Sequence, residues 1–320
     1  MIAARLALPR RAAAALLACA VALAGCGLGP GKERTGGAVL RVTRDFGHVR
    51  VGSTRVEKIR EGETAMRLLR SKFQVGTRYG GRFVQSIEGL AGRGAGGRED
   101  WFYFVNGIEA GVGAADYELS PGDVIRWDYR SWAATMRVPA IVGDFPEPFE
   151  HGFGGRRFPV RVECQDVTAH PCVEAKRRLS ASGIAASGAS LGAAGTRGVI
   201  RVVVARWPAI KLVQAAATLE RGPRRSGVFA RFEDGGRALE LLDPTGRAVR
   251  RAPAGSGLVA ALSPAENEIV WVVTALDERG LEAAAGALDA RTLRDAYALA
   301  VTPSGPEKLP LVARRAGAGA

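Results

Sequence analysis

Histidine is almost missing from these 320 residues; there are three, His48, His151 and His170. Each is isolated in sequence from a plausible nucleophile, so no catalytic pair is visible along the chain. No Walker A segment, Gly-x-Ser-x-Gly elbow or His-Glu-x-x-His helix occurs. The glycine-rich run from Gly92 to Gly97 leads into strand-forming residues, not a helix, and so fails the context of a phosphate loop. No catalytic residue and no metal ligand is therefore named. Lysine is also scarce. The formal charge of +13 is carried mostly by arginines scattered among abundant Ala and Gly. No basic stripe interleaved with aromatics appears, so a nucleic-acid partner is not expected.

Long apolar runs are missing too, with one exception at the start. Arg5, Arg10 and Arg11 precede an apolar run from Ala12 to Ala24. A run of about 13 residues is too short for a membrane-spanning helix, which needs roughly 20, but suits the apolar core of a secretory signal peptide. It ends in Leu23-Ala24-Gly25-Cys26, which resembles the bacterial lipobox. The expectation is cleavage before Cys26, diacyl lipid on its thiol, and an extracytoplasmic protein anchored to the cell membrane. Residues 1–25 are then signal peptide and 26–37 a flexible tether. Removing Arg5, Arg10 and Arg11 from +13 leaves a mature charge of +10.

Of four cysteines, Cys19 leaves with the signal peptide and Cys26 takes lipid. Cys164 and Cys172 remain, and outside the cytoplasm a close pair reads as a disulfide. Asp166 and His170 lie between them, but the resulting spacing matches no established zinc pattern.

The mature chain, about 295 residues, is long enough for two domains. In residues 38–138 strand patterns at 38–43, 49–51, 83–87, 100–105 and 124–129 surround one helix starting at Thr64, with Met66, Leu69 and Phe73 on one face. Asn106-Gly107 after the aromatic strand favours a type I′ turn. Asp123, after Pro121-Gly122, reads as a turn-stabilising carboxylate. This predicts an α+β unit in which a mixed sheet grasps a helix. Trp101, Tyr103 and Val105 share one strand face and Phe102 and Phe104 the other. One face must cover the helix; the other is free for a ligand or for the second domain.

Three stretches carry a resemblance: Glu61 to Leu69, Trp101 to Gly107 (WFYFVNG), and Gly111 to Tyr129 with its Tyr117, Pro121-Gly122-Asp123 and Trp127. In this order, over about 95 residues, they resemble the transcobalamin C-terminal-domain-like family. That resemblance implies a β-grasp fold in a bacterial surface lipoprotein. It also implies a corrinoid as one candidate ligand, so that no cofactor is required but cobalamin is the one to test. In the cobalamin carriers a separate helical barrel holds the other side of the corrin; the second half of this chain does not read as all-helical. Trp101, Tyr103, Asn106, Tyr117 and Trp127 are the candidate ligand-binding residues.

Residues 139–155, rich in Pro and acid around Phe145-Pro146-Glu147-Pro148, read as a linker or docking segment. Residues 156–303 alternate strands (158–163, 199–205, 228–232, 239–242, 268–274, 297–302) with helices (171–179, 208–219, 278–288), which predicts an α/β domain. Residues 304–320 read as a tail. The stretches 199–219 and 269–288 share a strand–break–helix rhythm, common to α/β chains and to duplicated units alike. The expected function is a cell-envelope binding module for a small molecule or a partner protein. The alternatives are a structural or assembly lipoprotein, which a free sheet edge would favour, and an enzyme on envelope polymers, which paired carboxylates in a cleft would favour.

Overall fold

The computed structural model describes residues 33–92, 97–233, 236–265 and 268–312. The expected signal peptide, Cys19 and the lipid-bearing Cys26 lie outside them. The chain is α+β, with two sheets that share a buried junction.

In the first unit β1 (Glu33–Arg44) and β2 (Val49–Arg60) form an antiparallel ribbon. Helix α1 (Ala65–Lys72) follows, started by Thr64, whose Oγ1 accepts from the Arg67 amide at 3.3 Å. A small sheet of β3 (Val75–Arg78), β4 (Phe83–Ile87) and β5 (Leu90–Ala91) comes next. The aromatic strand β6 (Glu99–Val105) turns through Asn106-Gly107, both at positive φ, into β7 (Ile108–Glu109). This return strand pairs with β6 over only two residues. β8 (Val124–Ser131) closes the sheet in the order β2-β1-β8-β6-β7, with β1 and β8 parallel at its centre. Met66, Leu68 and Leu69 of α1 pack on Leu40, Val42, Trp101, Val105, Ile125, Trp127 and Tyr129. This is the helix grasped by a mixed sheet that the residues predict.

The second unit has a seven-stranded sheet, β10-β9-β11-β16-β15-β17-β18. β9 (Val160–Cys164) leads through α2 (His170–Ala181) to β10 (Ala186–Ser190), and β11 (Ile200–Arg206) lies on the other side of β9. Then come α3 (Trp207–Ile210), α4 (Gln214–Ala217), a 3₁₀ turn (Thr218–Arg221) and α5 (Pro223–Ser226). A three-stranded meander follows, β12 (Ala230–Glu233), β13 (Ala238–Leu242) and β14 (Ala248–Arg251). β15 (Gly257–Ala265) and β16 (Glu268–Ala275) pair antiparallel, and α6 (Glu278–Gly286) and α7 (Ala290–Leu293) precede β17 (Ala298–Thr302) and β18 (Gly305–Leu309). Strands β10, β9, β11 and β16 are mutually parallel, as the alternation predicts.

Four expectations need correction. Residues 139–155 are not a detached linker: Val142, Phe145 and Phe149 are buried in the second core, and the two phenylalanines lie 5.9 and 4.8 Å from the Trp271 ring. The prolines suggested exposure, but the aromatics beside them anchor the segment. The tail begins later than residue 304, because β18 pairs with β17 and buries Leu309. The helix expected over 208–219 is broken into α3 and α4, since Val213 takes extended backbone angles between them. The tether expected over 26–37 ends earlier, because β1 begins at Glu33 and pairs with β2 from there. β10 and β15, Ala-, Gly- and Ser-rich at several positions, carry too weak a strand pattern to have been read from sequence.

The second face of the first sheet meets the second unit. Phe104 and Phe46 pack edge-on against Tyr297 at 5.6 and 5.2 Å, and Phe46 against Phe229 at 4.9 Å. The charged face of β8 is buried there. Arg126 donates to Asp144 and Asp295 at 2.7 and 2.8 Å. Asp128 accepts from Thr43, Tyr297 and the amides of Phe46 and Gly47. The Arg130 guanidinium lies 3.7 Å from the Phe102 ring centre. Among the described residues no helix is long and apolar enough to cross a membrane.

Candidate functional site

The five residues expected to bind ligand divide into two groups, and Trp101 and Tyr103 line an open cleft of about 380 Å³ together with Phe83, Phe102 and Trp132. Trp101 is buried under α1, its Nε1 donating to the Leu90 carbonyl at 3.0 Å. Tyr103 stacks on Trp127 at 4.9 Å, and its hydroxyl donates to the Val112 carbonyl. Trp127 is buried and its Nε1 has no partner among the described residues. Trp101 and Trp127 pack on the helix, Tyr103 stays partly open to the cleft, and the second unit covers Phe104 on the other face.

Asn106 and Tyr117 meet at Asp123. Asn106 donates to Asp123 at 3.2 Å and to the Gly152 carbonyl at 2.9 Å, and accepts from the Val124 amide at 2.8 Å. The Tyr117 hydroxyl and the Ser120 amide donate to Asp123 at 3.0 and 2.8 Å. Burial pushes the Asp123 carboxyl above its ordinary range, and these bonds offset part of the rise. This is the turn-locking role expected of Asp123. With His151 the group lines a cavity of about 170 Å³, large enough for water and too small for most metabolites.

His151 also approaches Glu147 and Glu150, and one ligand atom from each lies within 4.8 Å of the others. Its Nδ1 is 2.5 Å from Glu147 Oε1. This is the group of donors among the described residues able to hold a cation. Its spacing, Glu147-x-x-Glu150-His151, was legible in the sequence but was passed over as linker.

A cavity of about 780 Å³ lies in the second unit. It opens at the amino ends of the parallel strands, where Arg201 is the second residue of β11 and Glu268 begins β16. The end of β15 and the loop after β10, with Ser263 and Thr196, form one wall. Gln214 and Thr218, then Arg221, Arg225 and Ser226, form the other. Arg201 is buried and binds Glu163 through two hydrogen bonds, 2.9 and 2.7 Å. Arg161 adds another to the same carboxylate at 2.6 Å. Burial acts to raise the Glu163 carboxyl, but the two guanidiniums outweigh it and hold it below its ordinary range. Arg221 and Arg225 are exposed at the mouth, and neither side chain has a hydrogen bond or ion pair among the described residues. No motif joins these arginines in sequence, so reading along the chain missed them.

Cys164 and Cys172 form a disulfide with Cα atoms 6.1 Å apart, as their spacing predicted. It lines a second cleft at the opposite, carboxyl end of the strands.

No curated protein matches the chain. Among solved structures, one from Ruminococcus gnavus, described as a candidate metal-binding protein, aligns with 30% of this chain and 97% of its own at 11% identity and a TM-score of 0.24, a likeness too distant to bear on fold or function. A family model described as a domain of unknown function, DUF4430, matches residues 62–131, the stretch of the first unit from the start of α1 to the end of β8.

Proposed function

We propose that this chain is a lipid-anchored binding protein of the cell envelope whose second domain holds a small molecule. The observation that carries the reading is the cavity of about 780 Å³ at the amino ends of β11 and β16, within the usual 300–1,000 Å³ of ligand sites. The cleft beside Trp101 and Tyr103, where the transcobalamin-like resemblance would seat a corrinoid, has about 380 Å³, and the reading favours the roomier cavity of the second domain. Glu268 is the carboxylate on the cavity wall, which gives the polymer-cleaving reading no pair of acids there.

The test uses the mature chain from residue 27 without lipid, in thermal shift against a metabolite panel that includes cobalamin and cobinamide. The expected result is a concentration-dependent rise in Tm that Gln214→Trp, a substitution on the cavity wall, abolishes. Failure of every compound would overturn the reading. One feature favours a second reading, an assembly protein: β2, 12 residues long, is the outermost strand of its sheet and offers an unpaired backbone edge. Cross-linking in native envelopes to a protein along Val49–Arg60 would support it.

A further inference from the structure

We infer that the ligand of the second-domain cavity is a small multiply charged anion, carrying phosphoryl or carboxylate groups, gripped by Arg221 and Arg225. The inference rests on the reading that this cavity holds a ligand and adds its chemical class.

The charge around the cavity is unbalanced. Arg201 and Arg161 share Glu163, and Arg201 Nη1 lies 3.8 Å from Glu268. Those four charges cancel. Arg221 and Arg225 remain, both on the cavity wall and both without an acidic partner among the described residues. A guanidinium that faces a cavity offers a planar fork of donors matched to carboxylate and phosphate oxygens.

The turn that carries them is fixed. Gly222 takes φ 62° and ψ −162°, a conformation that side chains rarely adopt, and this reverses the chain between the two arginines. Ser226, buried, donates to the Gly222 carbonyl at 2.9 Å and accepts from the Val228 amide at 3.1 Å. The backbone under Arg221 and Arg225 is thus held before any ligand arrives, which lowers the ordering cost of binding. Arg201 acts differently: its fork is closed on Glu163, so it contributes a fixed wall and a positive field.

The experiment is titration calorimetry on the mature chain with four probes: inorganic phosphate, glucose 6-phosphate, citrate and glucose. The phosphate compounds and citrate separate phosphoryl from carboxylate recognition, and glucose is the neutral control. Expected is binding of at least one anionic probe and none of glucose. The affinity should fall as NaCl rises from about 50 to about 500 mM, because the arginines sit at a solvent-exposed mouth. Arg221→Gln and Arg225→Gln should each weaken binding on the order of tenfold, and the double charge reversal to Glu should abolish it. Both side chains lack partners, so Tm without ligand should not move. A neutral compound from the thermal-shift panel that binds, is blocked by Gln214→Trp and ignores both arginine substitutions would overturn the anion class and leave the cavity reading standing. Anion binding that survives the double reversal would also overturn it. No binding by any probe or panel compound would overturn both.

Discussion

Arg126 and Arg221 are the same residue type in opposite circumstances. Arg126 lies in the junction between the two sheets, fully buried, with Asp144 and Asp295 against it. Those carboxylates are shared outward with Arg41 at 2.8 Å and Arg50 at 2.9 Å. One nitrogen, Arg126 Nη1, is left without a partner among the described residues, but the guanidinium is held by two carboxylates. Arg221 and Arg225 stand at a cavity with nothing to match them. A closed cluster holds the molecule together, and an open one has work left for a ligand. Charge alone does not distinguish them; the inventory of partners does.

The largest effect should come from the closed cluster. Arg126→Met leaves Asp144 and Asp295 buried without their shared cation, and breaking a buried pair in this way costs roughly 3–5 kcal/mol. Arg221→Gln, at an exposed site without partners, should stay within about 0.5 kcal/mol. Urea unfolding of both variants measures the difference directly. A cost for Arg126→Met below about 1 kcal/mol would mean that the aromatic contacts of Phe46, Phe104 and Tyr297 hold the junction without the ion pairs.

The sequence shows one half of this arrangement and hides the other. In β8 the alternation of Ile125, Trp127 and Tyr129 with Arg126, Asp128 and Arg130 marks a strand and its apolar face. It cannot show that the charged face is buried, because the partners, Asp144 and Asp295, arrive from distant parts of the chain. The Asn106-Gly107 turn and the Cys164–Cys172 bridge depend on neighbours in sequence and could be read. The cavity depends on Arg201, Arg221, Arg225 and Glu268, which only the fold assembles. Of the five residues the resemblance points to, Trp127 is buried in packing, Asn106 and Tyr117 lock a turn through Asp123, and Trp101 and Tyr103 border an open cleft.

A medium effect tests whether the two ends of the second sheet are independent. The disulfide joins the end of β9 to the first turn of α2. Replacing both cysteines with serine should cost about 2.5 kcal/mol, the loop-closure value for so short a loop. It should leave anion affinity unchanged, since the cavity opens at the other end of the strands. A loss of stability joined to a loss of affinity would show that the sheet transmits strain between its ends, and the separation of structural from binding roles would fail.

The smallest effect concerns protons at the junction. His48 donates from Nε2 to the Pro310 carbonyl at 2.9 Å, close to Lys308, whose Nζ reaches the Gly47 carbonyl. Burial lowers the His48 pKa more than that hydrogen bond raises it, so the fold prefers the neutral ring. As pH falls through about 6.5, the ordinary value for His in the unfolded chain, the unfolded state takes up the proton before the folded state does. Stability therefore declines with falling pH across that window and levels off below the folded pKa. The buried carboxyls of Asp123 and Asp128, raised by burial, act with the opposite sign, and their window begins lower, near the ordinary carboxylate range. The difference between the protein and His48→Gln, followed by urea unfolding from pH 7.5 to 5.5, isolates the His48 contribution. The variant should show the shallower decline. Equal slopes would assign the pH response to groups other than His48, while the substitution should leave anion binding at Arg221 and Arg225 unchanged at any one pH; the phosphate probes themselves take up a proton at about pH 6 and should bind less tightly as the pH falls.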